Sequence, residues 1–148
     1  MEQLSRAAEI IISYKPNNQT KPIIKSSNDA YLVFKGFFSG DTIALQEHFA
    51  VMYLNRGSRV IGVLKLATGT MTGVLCDIRL VLAVALKTAS TAMMLCHNHP
   101  SESTAPSVED TMLTTRIKEA ANLMNISLLD HLIITRDKYY SFSDAGLI

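Results

Sequence analysis

The chain has 148 residues, with 14 basic against 13 acidic side chains and a formal net charge of +1. That length suits one compact domain, and hydrophobic residues at 48% against charged residues at 18% argue against a long disordered region. The near-neutral balance gives no electrostatic reason to expect tight nucleic-acid binding, and the two cysteines, Cys76 and Cys96, are too few and too far apart for a disulfide framework or a paired-cysteine zinc knuckle, which fits a reducing compartment.

At the amino terminus, Met1 to Ile12 holds an apolar stretch broken by Arg6 and Glu9, which suits neither a signal peptide nor a membrane anchor. No other apolar run approaches the roughly 20 residues needed to span a bilayer, so a cytoplasmic protein without a membrane partner is expected. Glu9 to Lys15 is an apolar, β-branched run ended by Pro16 and Asn17 and reads as a strand that caps or edges a sheet. Lys21, Lys25 and Lys35 form a sparse basic stretch, read as a solvated face. Ser26 or Ser27 can cap a helix over Asp29 to Phe38, closed off by Gly40. Glu47 to Leu54 and Arg59 to Leu66 read as two antiparallel strands joined by the turn Asn55-Arg56-Gly57-Ser58.

After Gly69 and Gly73, the stretch Asp77 to Ser90 carries Ile78, Leu82, Ala85 and Leu86 at helical spacing behind an Asp77 cap, which predicts a buried helix. Thr91 to Cys96 is a short strand running into His97-Asn98-His99-Pro100, and proline makes continuation of a central strand unfavourable, so the histidines sit at a strand end. Pro106-Ser107 opens a helix reaching about Asn125, with Ser107 as its cap and Glu109 and Asp110 in its first turn. Ile126 to Thr135 and Tyr139 to Phe142 read as closing strands. The pattern predicts an α/β domain with a mixed sheet flanked by helices, without internal repeat or linker.

The stretch from His97 to Asp110 carries the chemistry. Residues two apart on a strand share a face, so His97 and His99 can aim their imidazoles at one point, and Asp110 on the following helix can add a carboxylate oxygen. Two histidines and one carboxylate leave one tetrahedral position open, which distinguishes a catalytic zinc, with a water as fourth ligand, from a structural one. The water needs a proton acceptor, for which Glu47 is the candidate, and Ser107 can donate to a developing oxyanion. His131, next to Asp130, reads as a structural histidine bonded to the neighbouring carboxylate rather than a ligand. His48 alternates away from Glu47 and reads as solvated, Cys96 as a buried thiol, and the seven methionines as core filling.

The order Glu47, His97-x-His99, seven residues, Ser107, two residues, Asp110 resembles the JAMM (JAB/MPN) metalloprotease signature. The segments Cys96-His97-Asn98-His99-Pro100-Ser101, Pro106-Ser107, Asp130-His131-Leu132-Ile133 and Tyr140-Ser141-Phe142 are similar to the RadC-like branch, historically labelled a DNA repair protein, over roughly Ser26 to Leu147. On this reading residues 1–25 are an amino-terminal strand and connection, and residues 26–148 a RadC-like JAB/MPN domain. The resemblance implies a cytidine-deaminase-like fold, one Zn2+ per chain at His97, His99 and Asp110, Glu47 as base, Ser107 stabilising the intermediate, and hydrolysis of peptide or isopeptide amides. It supplies neither the physiological substrate nor the oligomeric state.

Two departures stand out. Longer RadC-like proteins carry an amino-terminal helix-hairpin-helix module that this chain is expected to lack, which weakens a role on DNA. Glu102 stands where the family loop usually has glycine, so a different turn with an extra carboxylate near the metal is expected. Besides a zinc peptidase or isopeptidase, the residues leave open a non-catalytic DNA-repair accessory or interaction module that retains the pocket, and a zinc-assisted nuclease. A zinc deaminase would be expected to carry a Pro-Cys-x-x-Cys pattern, which is absent.

Overall fold

The computed structural model describes residues 7–11, 13–38, 40, 42–69 and 76–148. The expectations placed on residues 1–6, on Ile12 and on Gly73 lie outside this set. Among the described residues three helices and five strands follow one another as α1 (Ser27–Phe37), β1 (His48–Leu54), β2 (Val60–Thr68), α2 (Ile78–Lys87), β3 (Ala92–Asn98), α3 (Val108–Leu123), β4 (Ser127–Ile134) and β5 (Tyr139–Ser141). The strands form one mixed sheet in the order β2-β1-β3-β4-β5, with β3 and β4 parallel and the other pairs antiparallel.

Local chemistry accounts for the element ends. Ser26 accepts from the Asp29 amide at 3.2 Å while the Asp29 carboxylate accepts from the Ser26 amide at 3.1 Å, a capping box that starts α1 two residues earlier than expected. In the β1–β2 turn the Asn55 side chain accepts from the amides of Gly57 and Arg59, and Ser58 takes a positive φ of 57°. Asp77 caps α2 through the Arg79 amide at 2.9 Å.

Alternation along the strands divides the interior into two cores. Ala50, Met52, Leu54, Met94, Cys96, Leu132 and Ile134 pack on one face against Ala30, Tyr31 and Phe34 of α1. Phe49, Val51, Tyr53, Met93 and Leu95 pack on the other against Val81 and Ala85 of α2 and Ile117 and Ala121 of α3. With helices over both faces, β1 and β3 are buried at every residue.

Three expectations need correction. The described residues of Glu9–Lys15 form no strand: Ile10 and Ile11 face solvent, and Tyr14 touches the sheet by donating from its hydroxyl to the Ile61 carbonyl at 3.4 Å. A β-branched run without a neighbouring strand to pair with has nothing to hold it as one, and a first bridge to the sheet comes at Ile23, opposite Arg59. On α2, Leu86 is exposed and Val81 takes the buried position. Met52, Met93 and Met94 are core residues, whereas Met112 and Met124 are exposed. Among the described residues no helix is long and apolar enough to cross a membrane.

The α1 face offers a direct check of this packing. Phe34→Ala, at a fully buried position, is expected to cost about 3–5 kcal/mol in denaturant unfolding. Leu32→Ala on the same helix, where the side chain is 58% exposed, should change stability by no more than about 0.5 kcal/mol.

Candidate metal centre

Because β3 and β4 are parallel, the chain must cross back between them, and α3 is that crossover. Its amino-terminal turn therefore lies beside the end of the sheet where β3 finishes, a position that collects ligand-binding groups in sheets of this kind. His97 is the penultimate residue of β3, His99 follows the strand, and Asp110 is the third residue of α3. Their donor atoms all lie within 4.8 Å of one another and could hold a metal ion.

The individual separations are His97 Nε2 to His99 Nε2 2.9 Å, His97 Nε2 to Asp110 Oδ1 3.2 Å, and His99 Nε2 to Asp110 Oδ2 3.6 Å. A tetrahedral zinc with bonds of 2.0–2.1 Å separates its ligands by about 3.3 Å, which falls within this spread. The donor set also fits on chemical grounds. His99 Nδ1 faces the Ser103 carbonyl at 2.8 Å, an acceptor only, so Nδ1 carries a hydrogen and Nε2 is the nitrogen left to face the cluster. Although burial pushes the Asp110 carboxyl upward, the His97 and His99 imidazoles hold it well below the usual carboxylate range. The Asp110 side chain raises the pKa of His99 in turn, against burial.

Ser107 positions Asp110. The Ser107 hydroxyl accepts from the Asp110 amide at 3.0 Å, and Asp110 Oδ2 accepts from the Ser107 amide at 2.8 Å. This capping box starts α3 and fixes the carboxylate that faces the histidines.

Glu47 immediately precedes β1. Phe49 pairs with His97 at the end of the antiparallel β1–β3 ladder, and Glu47, two residues before Phe49, is near enough for its carboxyl to feel the charges of His97, His99 and Asp110. Glu47 is half-buried, and burial raises its carboxyl above the ordinary value against the opposing pull of His97 and His99. His48, on the opposite face, was expected in solvent and is instead 3% exposed, with Nδ1 3.1 Å from Thr68 Oγ1 and Nε2 3.1 Å from Thr42 Oγ1. Its direction follows from alternation, but helices cover both faces of this sheet and the opposite face is interior. Cys96 is fully buried in the α1-side core.

Sequence reasoning passed over Asn98. Its side chain is wholly buried, donates from Nδ2 to the carbonyls of Ile43 at 2.6 Å and Gln46 at 2.7 Å, and accepts at Oδ1 from the His48 amide at 2.7 Å. The amide thus ties the connection that carries Glu47 to the strand that carries His97. Its signal in the sequence was an amide between two residues directed at one face, which must itself point into the other and find partners there.

His131 also departs from expectation. Its backbone amide, and not its ring, reaches Asp130, at 2.7 Å. The fully buried ring lies with Nε2 2.8 Å from His97 Nδ1 and Nδ1 2.7 Å from Thr114 Oγ1. Glu102 ends a turn closed by its amide on the His99 carbonyl at 3.0 Å and takes a left-handed φ of 65°, the conformation that suits glycine.

A mixed five-stranded sheet flanked by helices, with a His-His-carboxylate group where a parallel strand ends and its crossover helix begins, defines the class of the domain. The RadC-like JAB domain family matches residues 24–147, and the chain belongs to that family. A UPF0758 protein of Flavobacterium johnsoniae is 40% identical over 124 residues, which are 84% of this chain and 53% of the relative. A UPF0758 protein of Porphyromonas gingivalis is 34% identical over 142 residues, 95% of this chain and 63% of the relative, and one of Streptococcus gordonii is 41% identical over 99 residues, 67% of this chain and 44% of the relative. The chain spans 44–63% of the length of these curated relatives, whose names state no activity.

Removal of the Asn98 amide leaves two carbonyls and one amide N–H without their buried partner, so Asn98→Ala is expected to lower unfolding stability by about 2–4 kcal/mol. Glu102→Gly should have the opposite sign. Relief of the left-handed strain outweighs the added chain entropy, for a net gain of about 0.5–1 kcal/mol in the same measurement.

Proposed function

We propose that this domain is a zinc-dependent metallohydrolase of JAMM type that cleaves a peptide or isopeptide amide bond. The observation behind this reading is the convergence of His97 Nε2, His99 Nε2 and an Asp110 carboxylate oxygen, with Glu47 near enough to feel their charges. Zinc held by these three donors would supply Lewis acidity, polarising the scissile carbonyl and bringing the pKa of a water in the open position to about 7.

The remaining work falls to the chain. Glu47 takes a proton from the attacking water and returns it to the leaving amine as the C–O bond forms and the C–N bond breaks. Its partial burial suits that task, because a carboxylate raised toward neutrality is a stronger base than one in open water. Ser107 already accepts from the Asp110 amide, so its own hydroxyl hydrogen can be given to the oxygen that gains charge. The exposed serine at the mouth of the site is reachable by substrate.

Purified protein is expected to retain about one equivalent of zinc by metal analysis, and His97→Ala and Asp110→Ala to lose it. On a panel of peptide- and isopeptide-linked amide substrates, Glu47→Gln should lower the rate by at least about 10²-fold while zinc content and the unfolding midpoint stay at the wild-type values. Hydrolysis undiminished in Glu47→Gln, or wild-type protein without zinc, would contradict the reading.

A further inference from the structure

Behind His97 lies a hydrogen-bonded path that returns to Asp110. Thr114 Oγ1 is 2.6 Å from the Asp110 backbone carbonyl, one helical turn earlier, and 2.7 Å from His131 Nδ1. His131 Nε2 is 2.8 Å from His97 Nδ1. Thr114 and His131 are both buried, at 3% and 0% exposure, so water does not satisfy these atoms.

Chemistry assigns every hydrogen on this path. A carbonyl only accepts, so the single hydrogen of the Thr114 hydroxyl goes to Asp110. Thr114 is then left as the acceptor for His131, whose Nδ1 must carry the hydrogen. The neutral His131 ring therefore presents a lone pair at Nε2, which can only accept from His97 Nδ1. With its hydrogen drawn to Nδ1, the neutral His97 ring turns Nε2 toward His99 and Asp110 as an acceptor, open to a hydrogen from His99 Nε2 or to a metal. The reverse assignment would set the Thr114 oxygen against the Asp110 carbonyl at 2.6 Å without a hydrogen between them, and would put a hydrogen on His97 Nε2 where a lone pair is required to bind a metal.

We propose that Thr114 and His131 are positioning residues that lock His97 in its Nε2-ligating tautomer, and that Asp110 anchors both ends of the circuit, by its carboxylate at the metal and by its backbone carbonyl at Thr114. Packing reinforces the tautomer with orientation. The His97 ring stacks on Phe49 at an interplanar angle of 6°, and His131 stacks on Phe142 at 13°. Partners behind a metal-ligating histidine typically change metal affinity by 10–100-fold when lost. The proposal rests on the reading of this cluster as a metal site, but the tautomer itself is a property of the protein without metal.

The test joins two measurements. Long-range 1H–15N NMR of metal-free protein at mildly alkaline pH should find the hydrogen on Nδ1 of both His97 and His131 in the wild type, and on Nε2 of both in Thr114→Val, which keeps the side-chain shape and removes the hydroxyl. Zinc affinity, measured by chelator competition, should fall about 10–100-fold in Thr114→Val and in His131→Leu, and recover to within a few-fold of wild type in His131→Gln, whose amide oxygen can accept from His97. Hydrogen on Nε2 of His97 in the wild type would overturn the proposal, as would wild-type zinc affinity in folded Thr114→Val, or lowered affinity there with the His97 tautomer unchanged. A wild-type protein that binds no zinc would instead defeat the metal reading, and the tautomer measurement alone would then decide the circuit.

Discussion

Three side chains that can each offer an electron pair to a cation meet at the end of β3. His99 directs Nδ1 at the Ser103 carbonyl, His97 directs Nδ1 at His131, and the two imidazoles hold the Asp110 carboxyl well below the usual carboxylate range. Two imidazole nitrogens 2.9 Å apart, both facing that carboxylate, form a cluster that a cation relieves and a neutral interior does not. Folding must bring these groups together from a strand end and a helix start, and the surrounding structure is organised around doing so.

That organisation draws on separate parts of the chain. The parallel β3–β4 pair requires a crossover helix, which brings the first turn of α3 to the strand end. The Ser107–Asp110 capping box both starts that helix and turns its carboxylate toward the histidines, so one local motif serves folding and site alike. On the opposite face of the same strand, Asn98 grips the connection before β1 and with it the approach to Glu47. The alternation of β3 thus sends His97 to the site and Asn98 to the scaffold from adjacent positions.

Much of this was legible in the residues. The strands at His48–Leu54 and Val60–Thr68, the capped helices and the alternating architecture follow from periodicity and cap chemistry, both of which are local. The spacing of His97, His99, Ser107 and Asp110 was legible because a strand end and a helix start each have a fixed geometry. What escaped depended on tertiary partners. The run at Glu9–Lys15 has strand propensity but no strand beside it, and His48 pointed the right way toward an interior that alternation alone cannot reveal. The partners of Asn98 and Thr114 are largely backbone carbonyls, which leave no mark in a sequence, and His131 meets His97 only because β3 and β4 lie side by side.

The central claim, that these three side chains bind one zinc ion, is tested most directly by X-ray absorption at the zinc edge of the purified protein. The account predicts a first shell of nitrogen and oxygen alone, at about 2.0–2.1 Å, with the outer-shell scattering of two imidazoles. Sulfur at about 2.3 Å, or scattering from fewer than two imidazoles, would contradict it.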